Sequence, residues 1–183
     1  TAYFAKSGLT ARRLIERRGR FVHVWSGARG ASNTWDNHTN IDKELPFIAS
    51  MVDQPIAALV RDLKQRGLFE DTLVIWTTEF GRMPFTQGAT GRDHNGGTFV
   101  TWLAGAGIKA GAIHGQSDDF GYQTAEGATY CYGLHATILF RQITTQVLDG
   151  HPDRRQRRPQ IMAQRREQCR REHGLKSLAK LLV

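Results

Sequence analysis

Residues 9–18, LTARRLIERR, set Leu9, Leu14 and Ile15 on one side of a predicted helix and arginines on the other, and Gly19 closes it. The next segment, FVHVW at 21–25, has the β-branched and aromatic content of a strand. A Gly/Ser/Asn-rich loop at 26–34 leads into WDNHTN. Helical spacing returns over 41–66, most clearly in Ile56, Leu59, Val60 and Leu63. Pro46 and Pro55 are expected to break or kink that helix, with Asp53 as the cap of a restart, and Gly67 ends it. TLVIWTT at 72–78 is a continuous apolar run of the kind buried on both faces of a parallel sheet, and TFVTWLAG at 98–105 is another. Frequent glycines between 105 and 127 predict loops and short strands, and 133–145 reads as a helix. This alternation predicts an α/β domain, a layered sheet with helices on its faces.

Composition narrows the picture. The 183 residues suffice for one domain with a buried core, and 40% hydrophobic against 23% charged residues is a globular balance. The longest apolar runs are far too short to cross a bilayer. Thr1 is not an initiator methionine, so a cut or processed chain is expected. Cys131 and Cys169 lie far apart, in no zinc-binding or redox spacing, and read as two buried or idle thiols ahead of the alternative of a disulfide between them. The net charge of +8 resides mainly in the last stretch: residues 141–183 hold eleven Lys/Arg against four Asp/Glu, whereas residues 1–140 hold fourteen against thirteen. A domain over 1–140 followed by a basic, solvated tail over 141–183 is therefore expected.

The chemistry-bearing residues cluster beside the predicted strands. Asp36 and His38 follow the first, Glu79 ends the second, and Asp93-His94 precede the third. In open α/β sheets ligands gather at the carboxyl ends of strands, which suits the first two and requires a returning loop for the last. In an extended segment Asp36 and His38 face the same way. Carboxylate oxygens with imidazole nitrogens suit zinc, manganese or iron. Arg82 and Arg92 flank the acids and are placed to clamp a phosphate or sulfate oxyanion. Each short pair also has a plainer reading. Asp36 or Asn40 would cap the following helix, Glu79 would pair with Arg82, and Arg92 with Asp93. His23 reads as a packed core residue, His135 as structural, and Trp35, Trp76 and Trp102 as core or site-wall packing, while His114 has no assigned role.

The stretch from DQPIAALVRDLKQRG through EDTLVIWTTEFGRMPFTQGATGRDHNGGTFVTWLAGAG to GQSDDFGY, with WDNH before it and LHATIL after it, resembles the bacterial family called domain of unknown function 1501, common in planctomycetes. The resemblance runs from about Leu9 to Leu139 and is specific in combination rather than motif by motif. Members look sulfatase-like and related to the alkaline phosphatase superfamily. The resemblance implies a three-layer sandwich, here incomplete, and a divalent metal ion such as zinc, manganese or calcium held by Asp36, His38, Glu79, Asp93 and His94. Phe80 departs from the superfamily, which usually places a histidine after that acid, so a second ion would be one ligand short. The segment that carries the nucleophile in relatives precedes Thr1, so a fragment without its nucleophile is expected. The Arg-rich ending replaces a short apolar one in relatives, as a shifted reading frame would produce.

Three functions follow as expectations. The first is a metal-dependent hydrolase of a small phosphoric or sulfuric ester. The second is a non-catalytic domain in which the cluster holds a structural metal. The third is nucleic-acid or acidic-surface binding by Arg154, Arg155, Arg157, Arg158, Arg165, Arg166, Arg170 and Arg171, ranked last because no aromatic stacking residue lies among them. An exported or periplasmic setting is implied by the resemblance alone.

Overall fold

The computed structural model describes residues 2–26 and 35–149, and of residues 141–149 the backbone alone. The basic tail from 150 onward, with its arginines and Cys169, lies outside the described residues. Among the described residues the architecture is mixed α/β: three α-helices, one 3-10 turn and three small two-stranded sheets, all antiparallel. The chain divides into two compact units. Of the described residues, one holds 2–26, 35–69, 78–100 and 118–123; the other holds 70–77, 101–117 and 124–149.

The first unit contains α1 (Ala2–Glu16) and α2 (Ile41–Gln65). Helix α1 buries Gly8, Ala11 and Arg12, while Leu9 and Leu14 stay more than two-fifths exposed. The packed face is therefore rotated from the expected leucine face. The helix ends in a Schellman motif: Arg18 N–H donates to the Ile15 carbonyl at 2.9 Å and Gly19 N–H to the Leu14 carbonyl at 2.8 Å. The left-handed residue is Arg18 (φ 68°) rather than the glycine. Gly19 is needed for a different reason, since a Cβ there would sit 2.9 Å from the Leu14 carbonyl oxygen.

Asn40 caps α2, its side chain accepting from Lys43 N–H at 3.2 Å, as one of the plainer readings expects. Helix α2 then runs through both prolines without interruption, which corrects the expected break and the restart at Asp53. A proline inside a helix costs a hydrogen bond, roughly 3 kcal/mol with its clash. Pro55 recovers part of this by burial in the stripe Ile48, Val52, Pro55 and Leu63 that packs the unit's core. The Schellman end of α2 has Gly67 in the left-handed position (φ 69°).

Charges tie α1 to α2. Buried Arg12 pairs with Glu16 and reaches Asp62 Oδ2 at 2.8 Å, and Arg66 bonds Asp62 Oδ1 at 2.8 Å and Glu16 Oε1 at 2.9 Å. Segment 21–25 follows α1 without joining any sheet among the described residues. Its residues alternate as in a strand, but Phe21 and Trp25 are exposed, and His23 meets Phe21 edge-on and lies tilted against Trp25 with ring centroids 4.4 Å apart. His23 is thus a surface residue and not a core one.

A short two-stranded sheet in this unit positions the site. Strand β2 (Gly81–Arg82) pairs with β3 (His94–Asn95), aligning Arg82 with His94. Asn95 is 1% exposed and fully bonded: its Nδ2 donates to the Tyr122 carbonyl at 3.0 Å and its Oδ1 accepts from Gly97 N–H at 2.8 Å. Loop 118–123 is in turn closed by the Asp118 carboxylate, which accepts from the backbone N–H groups of Phe120, Tyr122 and Gln123. Those donors hold its carboxyl below the ordinary value.

In the second unit, β1 (Leu73–Trp76) pairs directly with β4 (Trp102–Gly105), with Trp76 opposite Trp102. The pairing is antiparallel, a correction to the parallel expectation. Neither strand is deeply buried, and Trp102 is 43% exposed, so an apolar run here does not mean burial on both faces. Strands β5 (Gln116–Ser117) and β6 (Thr124–Glu126) form the third sheet within the glycine-rich stretch, and α3 (Cys131–Asp149) contains the predicted last helix. No described helix is long and apolar enough to cross a membrane.

The α1–α2 charge network gives a signed pH dependence. The Arg66 and Arg12 guanidiniums hold Asp62 below its ordinary 3.8, so its stabilising effect is complete above that value and is lost as pH falls through the folded one. Unfolding followed at about pH 7 and about pH 3 should show a smaller acid loss for Asp62→Asn than for the parent chain. Equal losses would contradict a role for this carboxylate in acid sensitivity.

Candidate metal centre

Four segments of the first unit build the site. The first is a tight turn at 35–38. His38 N–H donates to the Asp36 carbonyl at 2.9 Å, so the pair converges through a three-residue turn rather than along an extended strand. Trp35, just before it, takes a left-handed backbone (φ 69°), a conformation that costs a non-glycine residue about 1 kcal/mol. Its ring N–H donates to the Ser26 carbonyl at 2.7 Å, and its own carbonyl accepts from Arg82 Nη2 at 2.8 Å. Asn37, at the turn's centre, is 3% exposed, and its Oδ1 has no hydrogen-bond partner among the described residues. Such strain and unpaired polarity tend to persist where the surrounding structure holds a site in shape.

The second and third segments are β2 and β3. Their ladder sets His94 beside Arg82 and so returns His94 to the Asp36 turn without the long loop across a sheet top that a strand-end placement would require. Phe80, just before β2, stacks on the His94 imidazole with centroids 4.1 Å apart and planes 28° apart. The Phe80 ring thus forms a wall against His94.

The fourth segment is the turn 87–91. Gln87 and Gly91 exchange backbone hydrogen bonds at 2.8 and 3.0 Å. Arg92 N–H donates to the Asn37 carbonyl at 2.8 Å and Thr90 Oγ1 to the Thr39 carbonyl at 3.1 Å, which clamps this turn onto the Asp36–His38 segment. Gly91 packs so closely that a Cβ would lie 1.9 Å from the His38 carbonyl oxygen.

Together these segments bring three donor atoms into one small triangle. Asp36 Oδ1 lies 2.8 Å from His38 Nε2 and 3.0 Å from His94 Nε2, and the two imidazole nitrogens are 2.9 Å apart. The side chains are between 31% and 54% exposed, so the group is open to solvent. Arg82 Nη2 donates to the same Asp36 oxygen at 2.9 Å. The hydrogen bonds from His94 and then Arg82 lead in lowering the Asp36 carboxyl from 3.8 to about 2, and it is ionised at any ordinary pH.

Of the seven site residues expected from the sequence, three form this triangle: Asp36, His38 and His94. Glu79 is not in the group; its carboxylate accepts from the neighbouring Thr78 hydroxyl at 3.0 Å. Asp93 is not in it either, because its Oδ1 turns back to accept from His94 N–H at 2.7 Å. Arg82 braces Asp36 and also donates to the Arg92 carbonyl at 3.2 Å, and Arg92 donates to the carbonyls of Thr90 and Gly91. Gln87, whose Oε1 meets His38 Nδ1, had no signal in the sequence beyond its place before a glycine.

The triangle fits a metal ion by its chemistry. Metal–nitrogen and metal–oxygen bonds near 2.1 Å place ligands on one octahedral face about 3.0 Å apart, and ligands of a tetrahedron about 3.4 Å apart. The observed edges of 2.8 to 3.0 Å match the octahedral face more closely. Two imidazoles in a set of three suit manganese, iron or zinc and disfavour calcium, which takes oxygen ligands.

The close fit at Gly91 is testable apart from any metal. Gly91→Ala should push the His38 backbone aside and destabilise the chain by about 1–3 kcal/mol, whereas Gly96→Ala, with open space around it, should change stability little. Equal denaturation midpoints for the two variants would contradict this packing.

No curated protein and no solved structure matches the chain. A family model described as protein of unknown function (DUF1501) matches residues 1–164, past the end of the motifs and into the basic stretch. With nine-tenths of its length inside that match, the chain belongs to the DUF1501 family.

Proposed function

We propose that the first unit is the metal-holding part of a metal-dependent hydrolase of the sulfatase and alkaline phosphatase kind, acting on a small phosphoric or sulfuric ester. The observation that supports this reading is the convergence of Asp36 Oδ1, His38 Nε2 and His94 Nε2 within 3.0 Å of one another. Two histidines and one carboxylate on one side leave positions open for water and substrate. A bound divalent ion would supply Lewis-acid activation of the ester oxygen or of a water molecule. Asp36 would bring the negative charge, kept ionised by the hydrogen bonds of His94 and then Arg82. Phe80 would fix the His94 ring plane. Arg82 and Arg92, with about half of their donors turned to protein oxygens, would shape the positive wall of the site more than grip substrate alone. The three-layer sandwich belongs to this proposal as the fold of the whole enzyme.

A second reading is favoured by one feature. Arg82 and the two imidazoles already surround the Asp36 oxygen, which is how a structural polar or metal cluster would also look. Substrate turnover separates the two readings.

Titration of the metal-free protein with manganese or zinc, followed by calorimetry, should show one site. Asp36→Asn, His38→Ala and His94→Ala should each weaken it by roughly tenfold or more. Glu79→Gln should leave it within about threefold, because its carboxylate lies outside the triangle. No binding by the parent chain would overturn the metal reading, and a Glu79→Gln loss as large as the others would return that residue to the ligand set. Hydrolysis of an aryl phosphate or aryl sulfate by the metal-loaded protein supports the enzyme, and bound metal without turnover supports the structural reading.

A further inference from the structure

A neutral imidazole carries one N–H, so whatever bonds one ring nitrogen decides what the other can do. The partner of His38 Nδ1 is Gln87 Oε1. An amide oxygen only accepts, so this contact favours the proton on Nδ1, with the Nε2 lone pair facing Asp36 Oδ1 at 2.8 Å and His94 Nε2 at 2.9 Å. Two lone pairs at that distance repel unless a cation or a proton lies between them. In the metal-free chain the N–H of His94 Nε2, 3.0 Å from Asp36 Oδ1, fills that place.

Gln87 is well held for such a task. Its backbone is locked to Gly91, and the turn they close is docked on the carbonyls of Asn37 and Thr39 on either side of His38. The close approach of Gly91 to the His38 carbonyl leaves no slack between the two segments.

We propose that Gln87 is a positioning residue that fixes His38 as the Nδ1–H tautomer and turns its Nε2 lone pair into the Asp36–His94 pair, ready to ligate a divalent cation. The consequence for metal affinity rests on the metal reading above; the tautomer does not. Carboxylates and carbonyls behind ligating histidines commonly act this way and change metal affinity by about 10- to 100-fold.

The experiment uses the whole chain, labelled with ¹⁵N and freed of metal. Long-range ¹H–¹⁵N spectra report which ring nitrogen of His38 carries hydrogen, with His38→Gln identifying its signals. The parent chain should show Nδ1–H. Gln87→Leu, with amide dispersion intact, should shift His38 toward Nε2–H and weaken zinc about tenfold, while Gln87→Glu, which keeps an acceptor, should retain Nδ1–H and stay within about threefold of the parent. Nε2–H in the parent chain, or an unchanged tautomer in a folded Gln87→Leu, would overturn the proposal. If Gln87→Leu does not fold, the parent spectrum decides. A parent chain with Nδ1–H that takes up neither zinc nor manganese supports the positioning role and overturns the metal reading.

Discussion

Crowding of electron-rich atoms is the constraint around which the first unit is organised. A carboxylate oxygen and two imidazole nitrogens stand within 3.0 Å of each other on half-exposed side chains. Left alone they would repel. Their approach requires positive charge among them, and the chain supplies part of it through Arg82, whose guanidinium reaches the same Asp36 oxygen. A proton on an imidazole or a divalent ion completes the balance. Because Asp36 stays ionised down to about pH 2, the cluster keeps its negative partner under all ordinary conditions.

The rest of the unit holds that crowding in place. Asn40 starts α2 two residues after His38, so the turn carrying Asp36 and His38 is anchored to a helix whose own core is Ile48, Val52, Pro55 and Leu63. On the opposite side, buried Asn95 pins β3 to the 118–123 loop, and strand alternation points His94 away from that anchor toward Asp36. The 87–91 turn closes the gap, touching His38 with both backbone and side chain. Backbone strain at Trp35 and the unpaired oxygen of Asn37 are the costs of bending the chain this tightly.

Local signals in the sequence carried far. The helical spacing of α2, its Asn40 cap and its Gly67 end, the apolar seeds of β1 and β4, and the last helix all stand near where pattern places them. So does the grouping of Asp36, His38 and His94, although the turn that joins the first two replaces an extended strand. What pattern missed depends on tertiary partners. Nothing in FVHVW says that residues 21–25 would find no ladder among the described residues, and nothing in TLVIWTT says that its neighbour would run antiparallel. An Asp beside a His looks like a ligand pair until the acid is seen to cap its own neighbour, as Asp93 does. Gln87 is an ordinary polar residue in sequence; only the docking of its turn makes it a partner of His38.

The most direct measurement is an anomalous difference map from crystals of the protein soaked in manganese. The account predicts one strong peak about 2.1–2.2 Å from Asp36 Oδ1, His38 Nε2 and His94 Nε2 at once. A well-ordered crystal with no peak there, or with its peak against Glu79 and Asp93 instead, would contradict it.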